Sequence, residues 1–229
     1  MTRFLAVLLA LISSASVQAA KQVDTETLRL TFSDSGELQS VIACFPSCSD
    51  QNTRLQQFAD EALVGFEPFT GGDWSYSTRN TDDEYSLRFE HSSGASAEWV
   101  VPARGYLIGL ELDMPGAVSI SSGESFRPRE AAGFGTWLEQ SRYVLIDDGD
   151  VNQFGYEEEA EVTATDADWS GYRNRFWALA ATPPPASRVV FEMAEGQRDA
   201  SIRIEAEAGD WSFYLGPVEP EALKQAAPG

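Results

Sequence analysis

Apolar residues recur at every second position along most of this chain, and that period is its strongest constraint. Leu28, Leu30 and Phe32 alternate in TLRLTF, and Tyr85, Leu87 and Phe89 alternate in EYSLRFEH. The longest run is GYLIGLELDM, which places Tyr106, Ile108, Leu110, Leu112 and Met114 on one side. Val189, Phe191 and Met193 follow, then Ile202 and Ile204, then Trp211, Phe213 and Leu215. A period of two fits a pleated strand with one buried face and does not fit a helix. Gly, Pro, Asp and Ser clusters bound each run, as Asp34-Ser35-Gly36 does after the first, and these are turn chemistry. Helical signals are few: a turn within residues 55–63, and a short helix over 220–226 with Pro220 at an early helical position. There is no repeat or low-complexity linker, and the Pro run at 183–185 is the one strong interruption. The expected architecture is all-β, with two packed sheets and long loops in one domain.

The opening MTRFLAVLLALISSASVQAAK has one positive charge at Arg3, an apolar run from Phe4 to Ile12, and then small residues. Val17 and Ala19 fit a small-x-small cleavage pattern, so residues 1–19 are expected to be a cleavable signal peptide and 20–229 the single β domain. The alternative is an uncleaved anchor, for which the run falls well short of the roughly 20 residues that span a bilayer. The expected location is therefore periplasmic, across the inner membrane, either free or associated with that membrane. Cys44 and Cys48 in ACFPSCSD are the two cysteines. In an oxidising compartment they are expected to pair, closing a small loop worth about 2 kcal/mol on the chain-entropy model. With 16 basic and 36 acidic residues the net charge is −20. Such a surface repels phosphate backbones and excludes nucleic acid as a partner. It also limits any membrane contact to a peripheral one through a local basic patch.

Catalytic motifs are sparse. The one histidine, His91, ends an alternating strand before a Ser-Gly turn, and it is expected to be a loop-edge residue. No G-x-S-x-G elbow accompanies the many serines and aspartates, so no nucleophile is assigned. Asp148, Asp150 and Asn152, with Glu159 at the twelfth place, echo the spacing of a calcium loop. Gln153 stands where that loop needs glycine, and the alternative is a solvated acidic hairpin. GFGTW at 133–137 reads as a bulge or turn. Trp137, Trp169, Tyr172 and Trp177 neighbour Gly-rich turns and are candidates for a sugar-stacking groove; packing in the core is the alternative. Arg173 and Arg175 form a positive pair in an acidic chain. Alternation would place both on one strand face, where they could meet an acidic partner or anionic headgroups. No cofactor is expected.

Four stretches, taken in order, resemble the large periplasmic domain of YidC-type membrane protein insertases. VDTETLRLTFSDSGELQSV resembles its opening strand pair, and RGYLIGLELDM its central long strand. DADWSGYRNRFWALAATP resembles a glycine-aromatic turn leading into a strand, and FYLGPVEPEALKQAAPG the closing strand with its Gly-Pro and short helix. The resemblance implies a β-supersandwich of the galactose-mutarotase-like kind with a small C-terminal helix. It does not imply insertase activity, because the membrane helices that perform insertion have no counterpart in these stretches. The function it implies is a non-enzymatic interaction module that binds envelope biogenesis or translocation proteins, or their substrates. A carbohydrate-binding or sugar-modifying protein that uses a mutarotase-like groove is the alternative.

Overall fold

The expected alternation reappears as alternating burial. The computed structural model describes residues 21–58, 63–67, 72–114, 116–121, 142–147, 150–155, 160–193, 201–206 and 208–220. In chain order the strands are β1 (Lys21–Asp24), β2 (Leu28–Phe32), β3 (Leu38–Phe45), β4 (Arg54–Gln57), β5 (Val64–Glu67) and β6 (Trp74–Asn80). Then come β7 (Glu84–His91), β8 (Ser96–Pro102), β9 (Leu107–Asp113), β10 (Gly116–Ser121), β11 (Arg142–Asp147) and β12 (Asp150–Gly155). The last are β13 (Ala160–Thr165), β14 (Trp169–Arg173), β15 (Trp177–Thr182), β16 (Arg188–Met193), β17 (Ser201–Ala206) and β18 (Gly209–Pro217).

These strands form two nine-stranded sheets. The first runs β1-β2-β3-β5-β10-β17-β16-β13, with β4 paired to β3, and the second runs β12-β11-β14-β15-β18-β9-β8-β7-β6. The pairing is antiparallel across both. The two sheets pack as a β-sandwich, as expected. Each sheet hides its apolar side chains against the other because an antiparallel sheet can bury one face and wet the other. Along β9, Ile108, Leu110 and Leu112 are buried between more exposed neighbours, and Tyr106 and Met114 extend the same buried side.

Aromatic side chains fill the space between the sheets. Trp99 of β8 sits among Phe32 at 5.5 Å, Phe213 at 5.5 Å and Phe66 at 6.4 Å between ring centres. Its indole N–H donates to the carbonyl of Gly36 at 2.8 Å, tying the second sheet to the β2–β3 turn of the first. Gly36 has φ +85°, and a side chain there would meet the Phe89 ring at 2.7 Å. Only glycine gives both the turn and the close approach. A second cluster stacks Tyr143 of β11 flat on Phe191 of β16, with centres 3.7 Å apart. Burying each such side chain stabilises the fold by about 1.5–3 kcal/mol.

Two expectations change or fall outside. Leu55 does not begin a helical turn: it lies in β4, opposite Cys44 of β3, and is 58% exposed. The Cys44–Cys48 disulfide and the Asp50 carboxylate, which accepts the Asn52 N–H at 2.7 Å, turn the chain back so that β3 offers a ladder. That ladder outweighs a weak local helix signal. The leader at 1–19 and the helix expected beyond Pro220 lie outside the described residues. The disulfide forms as expected and is compatible with an extracytoplasmic location.

Candidate functional site

Two surfaces of the second sheet stand out. The first is the outer face of β11, β12, β14 and β15. Tyr143 and Tyr172 are buried, so alternation turns their neighbours Arg142 and Arg173 outward. Register then places Gly155, Arg142, Arg173, Ala178 and Gly216 in one row across five strands. Arg142 and Arg173 are direct cross-strand partners in the register. Arg173 donates to the neutral Gln153 Oε1 at 2.9 Å. The adjoining row contains Val144, Gly171 and Ala180. Gly171 is obligatory, since a Cβ there would lie 2.1 Å from the Leu179 carbonyl oxygen of the paired strand.

Arg175 departs from the expectation. It does not share a strand face with Arg173, because β14 ends at Arg173 and Arg175 lies in the three-residue turn before β15. The Asn174 Oδ1 accepts the N–H groups of both Phe176 and Trp177 at 2.8 Å, and the Asn174 N–H donates to the Trp177 carbonyl at 2.9 Å. The asparagine thus breaks the alternation and holds a rigid turn. The Arg175 guanidinium lies over the Phe176 ring, 5.3 Å from its centre, and Phe176 is 47% exposed.

The second surface is β6. It ends the second sheet, and among the described residues it pairs with β7 alone. Ser75 to Asn80 are exposed on both faces, so no layer covers the strand. Tyr76 is 40% exposed, packs 5.0 Å from Phe89, and has Lys21 Nζ 5.6 Å from its ring centre. Burial raises its pKa above the ordinary tyrosine value. Sequence reasoning missed this strand, although Trp74, Tyr76 and Thr78 alternate in WSYSTRN.

The remaining candidates scatter. Trp169 is half-buried on the outer face, in register with Ile146. Tyr172 points inward, its hydroxyl donating to the Ile120 carbonyl at 3.4 Å, and Trp177 is buried edge-on to Phe58. Those two belong to the core. Trp137, Asp148 and Glu159 lie outside the described residues. Asp150 and Asn152 are exposed on β12, stretched along a strand rather than wound around a point. Among the described residues no group of three metal-ligating side chains converges. His91 Nδ1 shares a hydrogen bond with Ser93 Oγ at 2.7 Å, and its ring packs 5.1 Å from Trp74. A recess of about 10 Å³, room for roughly one water, lies between β5, β9, β10 and β18 beside Trp211.

No protein-family model matches the chain. No curated protein matches it either. Solved structures do match in fold. One is the alpha-N-acetylgalactosaminidase NagBb from Bifidobacterium bifidum, a quadruple mutant, with a TM-score of 0.54 and 9% identity. The match covers 90% of this chain and 38% of that one. The likeness supports the β-sandwich fold; at this identity it carries no activity across.

Proposed function

We propose that this chain is a non-enzymatic, periplasmic interaction module related to the periplasmic domain of YidC-type insertases. It binds a protein of envelope biogenesis or translocation, or an extended substrate of that machinery, by adding a strand to β6. The observation that carries this reading is β6 itself: seven residues long, exposed on both faces and paired on one side. An exposed edge of this length offers unpaired N–H and C=O groups to an extended segment. β6 holds neither proline nor lysine, two residues that commonly block such addition. Among the described residues, the aromatic packing around Trp99 between the sheets supports binding at an edge over binding in a cleft there.

The test is photo-crosslinking from Ser77 in intact envelopes, with Thr163 on β13, at an edge of the other sheet, as the comparison site. Adducts with translocation or insertion components, or with exported chains, are expected from Ser77. Adducts from Thr163 alone would overturn the proposal. So would turnover of an N-acetylgalactosaminide by the purified protein, which would favour the carbohydrate reading. That reading ranks second because, of its four aromatic candidates, only Trp169 is found on the outer face among the described residues.

A further inference from the structure

We infer that the open edge of β6 takes an extended segment with an apolar residue at every second position, the pattern of an unpaired β-strand. The inference rests on strand addition to β6, proposed above, and names the chemistry of what is added. Hydrogen bonds at the two ends of the strand show which backbone groups are open. Just before β6 the Asp73 carbonyl accepts the Ser92 N–H at 3.0 Å, and just after it the Thr81 N–H donates to the Glu84 carbonyl at 2.9 Å. Antiparallel bonding alternates along a strand, so the odd-numbered residues from Asp73 to Thr81 turn their main-chain groups toward β7. The other side of β7 agrees. The His91 N–H donates to the Ala95 carbonyl at 2.8 Å, and the Ala103 N–H to the Asp83 carbonyl at 2.7 Å, so odd residues of β7 face β8 and even ones face β6. The main-chain groups of Trp74, Tyr76, Thr78 and Asn80 therefore point away from the sheet, and among the described residues no strand pairs with them.

The same residues decide which side chains fit. In an antiparallel addition, the residue opposite Tyr76 exchanges both hydrogen bonds with it and sends its side chain to the same face. On that face Tyr76 packs 5.0 Å from the buried Phe89, and Trp74 packs 5.1 Å from His91, between ring centres. Lys21 of β1, the edge strand of the other sheet, lies 5.6 Å from the Tyr76 ring centre with its ammonium already paired to Asp34. An apolar side chain added here leaves water against a ring that is 40% exposed. The intervening residues of the added strand stand beside Ser75, Ser77 and Arg79. The partners of those three on β7 are Glu90, Arg88 and Ser86, so this face is polar and wet.

The segment that fits has one apolar and one polar side. A strand of a β protein carries that pattern before it finds its sheet. A membrane-spanning helix does not, because its apolar residues run on for roughly 20 positions. The partner class is accordingly an exported chain rich in strands, rather than a helical membrane protein.

The test is fluorescence polarisation of short labelled peptides with the full chain, all peptides carrying the same terminal lysines. One alternates valine and serine; another has the same composition with its valines in one block. The alternating peptide is expected to bind about fivefold tighter or more, since each matched cross-strand pair contributes up to roughly fivefold. Methylating its valine amides should abolish binding, and methylating its serine amides should leave it intact, because only the former face β6 in antiparallel register. Thr78→Pro should weaken binding about tenfold or more with little change in melting temperature, since the Thr78 N–H gives no bond to β7. Tyr76→Ser, which keeps every backbone bond, should erase most of the preference for the alternating peptide. Equal binding of the two peptides, binding that survives methylation of the valine amides, or no binding of either would each overturn the inference. Adducts from Ser77 combined with indifference to pattern would strike the partner class and leave strand addition standing. Pattern-dependent peptide binding without adducts from envelope components would strike the envelope role and leave the inference intact.

Discussion

Within the second sheet, the half built on β7, β8 and β9 pairs Arg88 with two carboxylates, while in the half built on β11, β14 and β15 Arg173 meets a neutral amide. In the first half, Arg88 donates to Glu90 at 2.8 Å and to Glu98 at 3.1 Å, and Glu98 also accepts from Ser86 at 2.6 Å. The Ser86 hydrogen bond, with help from Arg88, holds the Glu98 carboxyl below the ordinary carboxylate range. In the second half Arg173, opposite Arg142 in the register, donates to the neutral Gln153 Oε1 at 2.9 Å. Both halves rest on comparable aromatic floors, Trp99 in one and Tyr143 in the other, each essentially inaccessible. The scaffold is therefore shared and the outer faces diverge.

The largest effect should come from the floors. Trp99→Ala is expected to cost about 3–5 kcal/mol, from a cavity at the centre of the aromatic cluster. Tyr143→Phe should cost about 1 kcal/mol, because it removes only the hydroxyl shared with Ser170 at 3.3 Å. Urea unfolding midpoints will compare them, and equal losses would break the idea that packing, not polar contact, carries both halves.

Alkaline titration should sharpen the same contrast. Burial pushes Tyr143 up to about 12, against the weaker opposing effect of Ser170, and pushes Tyr106 to about 12 as well. Tyr214 is also raised by burial. The neutral phenol is favoured in the fold, so this stability is complete below the unfolded value of 10. It is lost as pH rises through the folded value. Phenolate absorbance should show these tyrosines ionising late and together with unfolding, and Tyr143→Phe should flatten that limb.

On the acid side the effect is smaller and its sign is reversed. Glu98 has a lowered pKa, so its contribution is present above the unfolded value of 4.5 and is lost as pH falls through the folded value. Glu98→Gln should reduce stability at neutral pH by up to about 1 kcal/mol and flatten the acid limb. An unchanged acid limb would count against a stabilising role for the Arg88–Glu98 contact. The smallest effect is expected at Arg173→Ala: within about 0.5 kcal/mol of wild type, because it removes an exposed contact with a neutral amide. A clear destabilisation would mean that Arg173 is structural, and the contrast between the halves would fail.

Legibility from sequence followed burial. Strands with one dry face, such as β2, β9, β17 and β18, declared themselves because alternate apolar residues have no other efficient way to leave water. β6 stayed hidden because it is wet on both faces, so Ser75, Ser77 and Arg79 dilute the signal of Trp74 and Tyr76. β4 stayed hidden because its partner β3 supplies the reason for its extension. Among the candidate residues, Trp169 and Arg173 reached the outer face, while Tyr172 and Trp177 were drawn into the core by the same alternation that made their strands recognisable.

Sequence alone determined the all-β class, the inward set of side chains and the Cys44–Cys48 link, because period-two hydrophobicity and short-range cysteine spacing are local properties. Tertiary structure alone decided which strand stands bare at an edge and which arginines stand opposite in the ladder. Both are matters of register and sheet order, and a residue's own neighbours along the chain carry no record of them.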